Sequence, residues 1–141
     1  MLLLLDDGWR RLADYLRHRM AKESTASGQV SAWIAGTLAQ VQNQRAATRT
    51  RPFVVHLSRL YEQYPAEQHE SMAVLLSLLE QAIQHGVDVG ELTSDDAARA
   101  AESVYFLTYG LVEHHLRAGT VPTPDEVDYV VSFALRGLGA G

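Results

Sequence analysis

The side chains best suited to chemistry are the six histidines, and their spacing argues against a shared task. His114 and His115 are consecutive, and neighbours on a helix point about 100° apart, so the two do not converge on one ion. Metal sites in helix bundles use Glu-x-x-His, and zinc proteases use His-Glu-x-x-His. His69-Glu70 has no second histidine four residues after the first, and Glu113-His114-His115 has the wrong offset. His115 falls on the inner face of its helix, where a hydrogen-bonded core or interface histidine is expected. His18, four residues after Asp14, reads as half of an exposed pair. No Gly-x-Ser-x-Gly elbow is present, and no serine is set beside a base. The carboxylates cluster at predicted helix starts, where capping explains them. The tail Gly137-Leu138-Gly139-Ala140-Gly141 has neither a preceding strand nor a following helix, so it is no phosphate loop. The expectation is a chain that is not an enzyme and carries no metal or cofactor.

Binding is the chemistry left. A pocket for a small organic molecule needs an aromatic and apolar lining with a few inward polar groups. Trp9, Trp33, Phe53, Tyr61 and Met72 lie on the inward faces of four predicted helices, and Thr37 and Thr108 place hydroxyls on apolar faces. These seven are the candidate ligand-binding residues. The alternative is that the aromatics are core and each threonine bonds back to a carbonyl one turn earlier. Arg45, Arg49, Arg51 and Arg59 gather positive charge around one connection, either as a solvated loop or as a docking surface.

Apolar residues recur at helical spacing along nearly the whole chain, with no alternating strand pattern. Six helices are predicted, at about 1–23, 28–44, 51–64, 66–85, 95–118 and 124–137. The first has the stripe Leu2, Leu5, Trp9, Leu12, Leu16 and Met20. The second begins after Ser27 as N-cap and turns Val30, Trp33, Ile34, Thr37, Leu38 and Val41 inward. The fourth carries Leu75, Leu76, Leu79, Ala82 and Ile83 and stops at His85-Gly86. Ser94-Asp95-Asp96 opens the fifth, which Gly119 ends. Thr123-Pro124-Asp125-Glu126 opens the sixth as a full capping box with proline at the first position.

The chain has 141 residues, 47% hydrophobic and 21% charged, which is the makeup of one globular domain. No linker divides it. Asp6 and Asp7 stop the opening leucine run short of a signal peptide or a membrane span, so a cytoplasmic protein without membrane contact is expected. The absence of cysteine excludes disulfides and thiolate chemistry. A net charge of -5 disfavours binding to phosphate backbones.

The last two predicted helices carry more apolar surface than one core needs. Tyr105, Phe106 and Tyr109 extend the fifth helix's inner face, and Tyr129 and Phe133 extend a stripe of Val127, Val130 and Ala134 on the sixth. A helix with so wide an apolar face must be covered on two sides. The economical reading is a homodimer in which these two helices meet their counterparts as an intersubunit four-helix bundle. A monomer with both helices in its middle is the alternative.

The stretch from Leu75 to Gly139 resembles the C-terminal regulatory domain of TetR-family transcriptional regulators. It contains a helix ending in Gly90-Glu91-Leu92, an acid-capped alanine-rich helix, and a last helix with a leucine-glycine tail. The resemblance implies an all-α, dimeric, effector-sensing body whose earlier helices enclose a small, largely apolar molecule. It also implies bacterial origin and transcription regulation. Such regulators bind DNA through an N-terminal helix-turn-helix head. One predicted helix between Met1 and Gly28, without a basic recognition face, does not supply it, so DNA contact is expected only through a head outside these residues. A helical-bundle enzyme and a dimerisation module with a filled core are the rival readings.

Overall fold

The computed structural model describes residues 2–42 and 65–140, with side chains over 10–41 and 73–140. Five helices and no strand occur among the described residues: α1 (Leu2–Ala21), α2 (Ala26–Gln42), α3 (Pro65–Asp88), α4 (Ala97–Ala118) and α5 (Pro124–Gly137). The all-α expectation holds at that level. The helix expected at 51–64, and with it the six-helix count, falls outside the described residues. So do the side chains of Trp9, Phe53, Tyr61 and Met72 and the cluster Arg45, Arg49, Arg51 and Arg59.

Among the described helices α2 is central and packs against each of the other four. Its sequence suits that position because apolar residues surround it. Val30, Trp33, Ile34, Leu38 and Val41 are each at most 1% exposed, and Ala26 and Ala32 are buried beside them. Around it α1 contributes Ala13, Leu16 and Met20, and α3 contributes Leu75, Leu79, Ala82 and Ile83. Gly36 allows the close approach of α1, since a Cβ there would stand 2.7 Å from Leu16 Cδ2.

The start of α2 differs from the expected one. Thr25, not Ser27, is the cap: its Oγ1 accepts the Gly28 N–H at 2.9 Å, and its carbonyl accepts that of Gln29 at 3.0 Å. The two remaining N–H groups of the first turn reach across the fold to Glu91. Ala26 N–H donates to Oε2 at 3.0 Å and Ser27 N–H to Oε1 at 3.1 Å. The N–H groups of Ala26, Ser27 and Gly28, which precede the first intrahelical bond, are therefore all satisfied.

The same contact explains the end of α3. The helix runs through Gly86 to Asp88, and the left-handed residue is Gly90, at φ 79°. Gly86 is small for another reason, because a Cβ there would meet Leu92 Cδ1 at 2.5 Å and Ala26 Cβ at 2.9 Å. Its carbonyl accepts the N–H groups of Glu91 and Leu92. Thus Gly90 turns the chain, Glu91 clamps α2, and Leu92 buries itself against α3.

The hydrogen bonds from the Ser27 and Ala26 backbones, with a smaller contribution from His85, hold the Glu91 carboxyl below its ordinary value near 4.5. A lowered pKa stabilises the fold above the unfolded value and loses that contribution as pH falls through the folded one. Glu91→Gln is expected to lower the melting temperature at pH 7, with the difference from the parent shrinking as pH drops below about 4.5. Thermal melts between pH 3 and 7 check this, and a pH-independent difference would contradict it.

Candidate functional site

Helix α5 begins as its sequence predicts, whereas α4 starts two residues later than expected, with Asp96 and not Ser94 as its N-cap. Asp96 Oδ1 accepts the Arg99 N–H at 3.1 Å, Gly119 closes α4 at φ 71°, and Thr123 Oγ1 accepts the Glu126 N–H at 3.1 Å. The second half of the expected capping box is replaced. The Glu126 carboxylate pairs with Nε2 of His115, whose Nδ1 lies 2.8 Å from Thr120 Oγ1. His115 is 7% exposed, and these two partners satisfy it. This link ties the end of α4 to the start of α5, while Thr93 N–H bonds to the Leu138 carbonyl at the other end. The two helices are therefore linked at one end by this pair and at the other through the loop that precedes α4, and each packs inward on α2. Asp14, expected to face His18, bonds instead to Arg17 at 2.9 Å.

The eight residues expected between subunits fall into two groups. Tyr105, Val127, Val130 and Ala134 are 5–7% exposed and already covered by their own chain. Tyr105 points toward α2, its ring 6.2 Å from that of Trp33. Tyr105 lies about 100° round from Val104, still within the inner face, which is why the wide stripe could not separate core from rim. Phe106, Tyr129 and Phe133 are 61%, 65% and 55% exposed, and Tyr109 is half-buried. Phe106 stands edge-on to Tyr105 at 5.6 Å, and Tyr109 stacks on it at 4.5 Å. Tyr129 and Phe133 stack at 6.4 Å on the outer face of α5. The second apolar side predicted for these helices is thus present as uncovered aromatic rings. Burying each would be worth roughly 1.5–3 kcal/mol at full coverage.

The described candidate pocket residues lie in the core. The Trp33 indole N–H donates to the Leu75 carbonyl at 3.2 Å. Thr37 donates to the Trp33 carbonyl and Thr108 to that of Val104, each at 2.8 Å and one turn back. All three are at most 1% exposed, and both hydroxyl protons are used within their own helices.

Two surface grooves are also present. One, of about 430 Å³, runs between α1, α2 and α3 over Met20, Leu78 and Ala82, with Arg17, Gln29 and His85 on its rim. The other, of about 480 Å³, follows α4 along Gly110, Glu113, His114, Arg117 and Ala118. Among the described residues no group of three or more His, Cys, Asp or Glu side chains could hold a metal ion, and no helix is long and apolar enough to cross a membrane. Sequence reasoning missed the Glu91 clamp and the His115–Glu126 pair, which join residues that no local pattern connects. No family model, curated protein or solved structure matches this chain.

Proposed function

We propose that this chain is the dimerisation and effector-sensing body of a TetR-like transcriptional regulator, non-enzymatic, and joined through α4 and α5 to a second copy. The observation that carries the reading is the set of exposed aromatics on those two helices, Phe106, Tyr129 and Phe133. Their outer faces belong to two helices that both pack inward on α2, and a two-fold pairing of such faces covers the rings in both copies at once. The resemblance adds the sensing role: a small, largely apolar effector held among the earlier helices changes the body's conformation. DNA binding would belong to a head outside these residues. A signal arises only if the effector prefers one conformation over the other.

Sedimentation equilibrium tests the association directly. The expected mass at micromolar concentration is twice 15.6 kDa, and a stable single-chain mass would overturn the proposal. A dimerisation module with a filled core is the second reading, favoured by the burial and internal hydrogen bonds of Trp33, Thr37 and Thr108. Thermal-shift measurements with a panel of small apolar compounds separate the two. A saturable rise in melting temperature supports the sensing body, since ligand binding stabilises the folded state by mass action.

A further inference from the structure

We infer that Thr120 is an acyl-acceptor site, its hydroxyl activated by His115 and Glu126 to take an acyl group from an activated ester. The inference goes beyond the regulatory reading and stands whether or not the chain self-associates. It concerns one acylation of the chain, not a turnover.

The end of α4 builds the site. Gly119 turns the backbone at φ 71°, and the Thr120 N–H bonds back to the His115 carbonyl at 3.0 Å. That bond brings the Thr120 side chain to the ring five residues earlier, with Oγ1 2.8 Å from Nδ1. On the other side of the ring, Nε2 pairs with Oε1 of Glu126. A carboxylate can only accept, so Nε2 carries the hydrogen. A neutral imidazole then has its lone pair on Nδ1, and Thr120 donates its O–H to that nitrogen. Hydroxyl, imidazole and carboxylate thus stand in the order that activates a nucleophile. Thr37, Thr108 and Thr123 spend their oxygens on helix backbone instead. His115 is 7% exposed and Thr120 is exposed, so the base is sheltered and its hydroxyl is open to a reagent.

In the step, Oγ1 attacks the acyl carbonyl carbon while its proton passes to Nδ1. The tetrahedral adduct collapses, the ester C–O bond breaks, and the leaving alcohol takes the proton from Nδ1. The imidazole is neutral again, and Thr120 keeps the acyl group as an ester. Glu126 is a positioning residue: it fixes the tautomer and stabilises the imidazolium between the two transfers. General-base help contributes about 10²–10⁴-fold, which suits donors with a good leaving group and not amides.

The test is incubation of the full chain with p-nitrophenyl acetate, followed by peptide mass spectrometry. Background is low, because the chain has a single lysine, Lys22, and no cysteine. Thr120 is expected to be acetylated at least about a hundredfold faster than Ser132, an exposed hydroxyl on α5. Thr120→Ser should keep the labelling and Thr120→Val should lose it. In the parent, the Thr120 rate should level off with rising pH once His115 is neutral, while the Ser132 rate keeps climbing with hydroxide. Glu126→Gln should abolish that plateau, because an amide can donate to Nε2 and leave the hydrogen on Nδ1. His114, its ring centre 5.2 Å from that of His115, is the other titratable neighbour to control, and His114→Gln should leave the profile unchanged. Labelling of Thr120 no faster than Ser132 in the parent overturns the site. Fast labelling that survives His115→Gln overturns the base, and an unchanged profile in Glu126→Gln overturns the part given to the carboxylate.

Discussion

Trp33→Ala is expected to remove about 4 kcal/mol of folding stability, the largest loss for any single side chain among those described. Among the described residues Trp33 is the largest that is fully buried, at 0% exposure, and it sits on the helix that touches each of the other four described helices. Its indole spans from α2 to the Leu75 carbonyl of α3 and to the Tyr105 ring of α4. Truncation loses the burial and leaves a cavity that three helices must close together. A domain of this size has about 5–15 kcal/mol in total, so the variant should be near its folding limit. Trp33→Phe keeps most of the volume and loses the hydrogen bond, and about 1–2 kcal/mol is expected. Urea unfolding followed by far-UV circular dichroism measures both. The pair of values also decides between two roles for this residue. A tryptophan lining an existing pocket leaves little new cavity when removed, so an alanine cost below about 1.5 kcal/mol would favour a pocket over a filled core.

Phe133→Ala should leave the subunit's own stability nearly unchanged and weaken the dimer by roughly two to three orders of magnitude. The ring is 55% exposed within its subunit and stacks on Tyr129, which is itself 65% exposed. Surface substitutions of this kind shift folding by no more than about 0.5 kcal/mol. In an isologous interface every substitution occurs twice. Two aromatic anchors at about 2 kcal/mol each give about 4 kcal/mol, close to a thousandfold in the dissociation constant. Tyr129→Ala should act in the same direction. Tyr15→Ala is the control: Tyr15 is also an exposed aromatic, at 40%, but it lies on α1 and bonds to Arg19. Sedimentation velocity over a concentration series separates these outcomes. Equal association of all three variants with the parent chain would remove α4 and α5 as the interface.

The local ends of the helices were readable from short patterns. Gly119 and Thr123-Pro124 act where they stand, because capping depends on residues within one turn, and the cap of α4 moves only from Ser94 to Asp96. Glu126 shows where this reading stops. The box pattern places its carboxylate on its own helix end, but buried His115 lies closer to hand and needs a partner. A buried ring nitrogen left unbonded would cost about 1–3 kcal/mol, more than an exposed cap contributes. Gly86 shows a second limit, since glycine marks a stop and a close approach equally well in sequence.

The order of apolar and polar residues alone determined that the described part of this chain is helical and roughly where each described helix lies; the central place of α2 came only from the packing. The helical pattern repeats every few residues along the backbone. Only the tertiary structure decided which aromatics are spent within the subunit and which remain uncovered. Tyr105 and Phe106 are adjacent and similar in sequence, yet one is 6% exposed against Trp33 and the other 61% exposed. Likewise, only the assembled fold brings Glu91 onto the N–H groups of Ala26 and Ser27. Burial and long-range pairing depend on which helices become neighbours, and the spacing of residues along one helix does not contain that information.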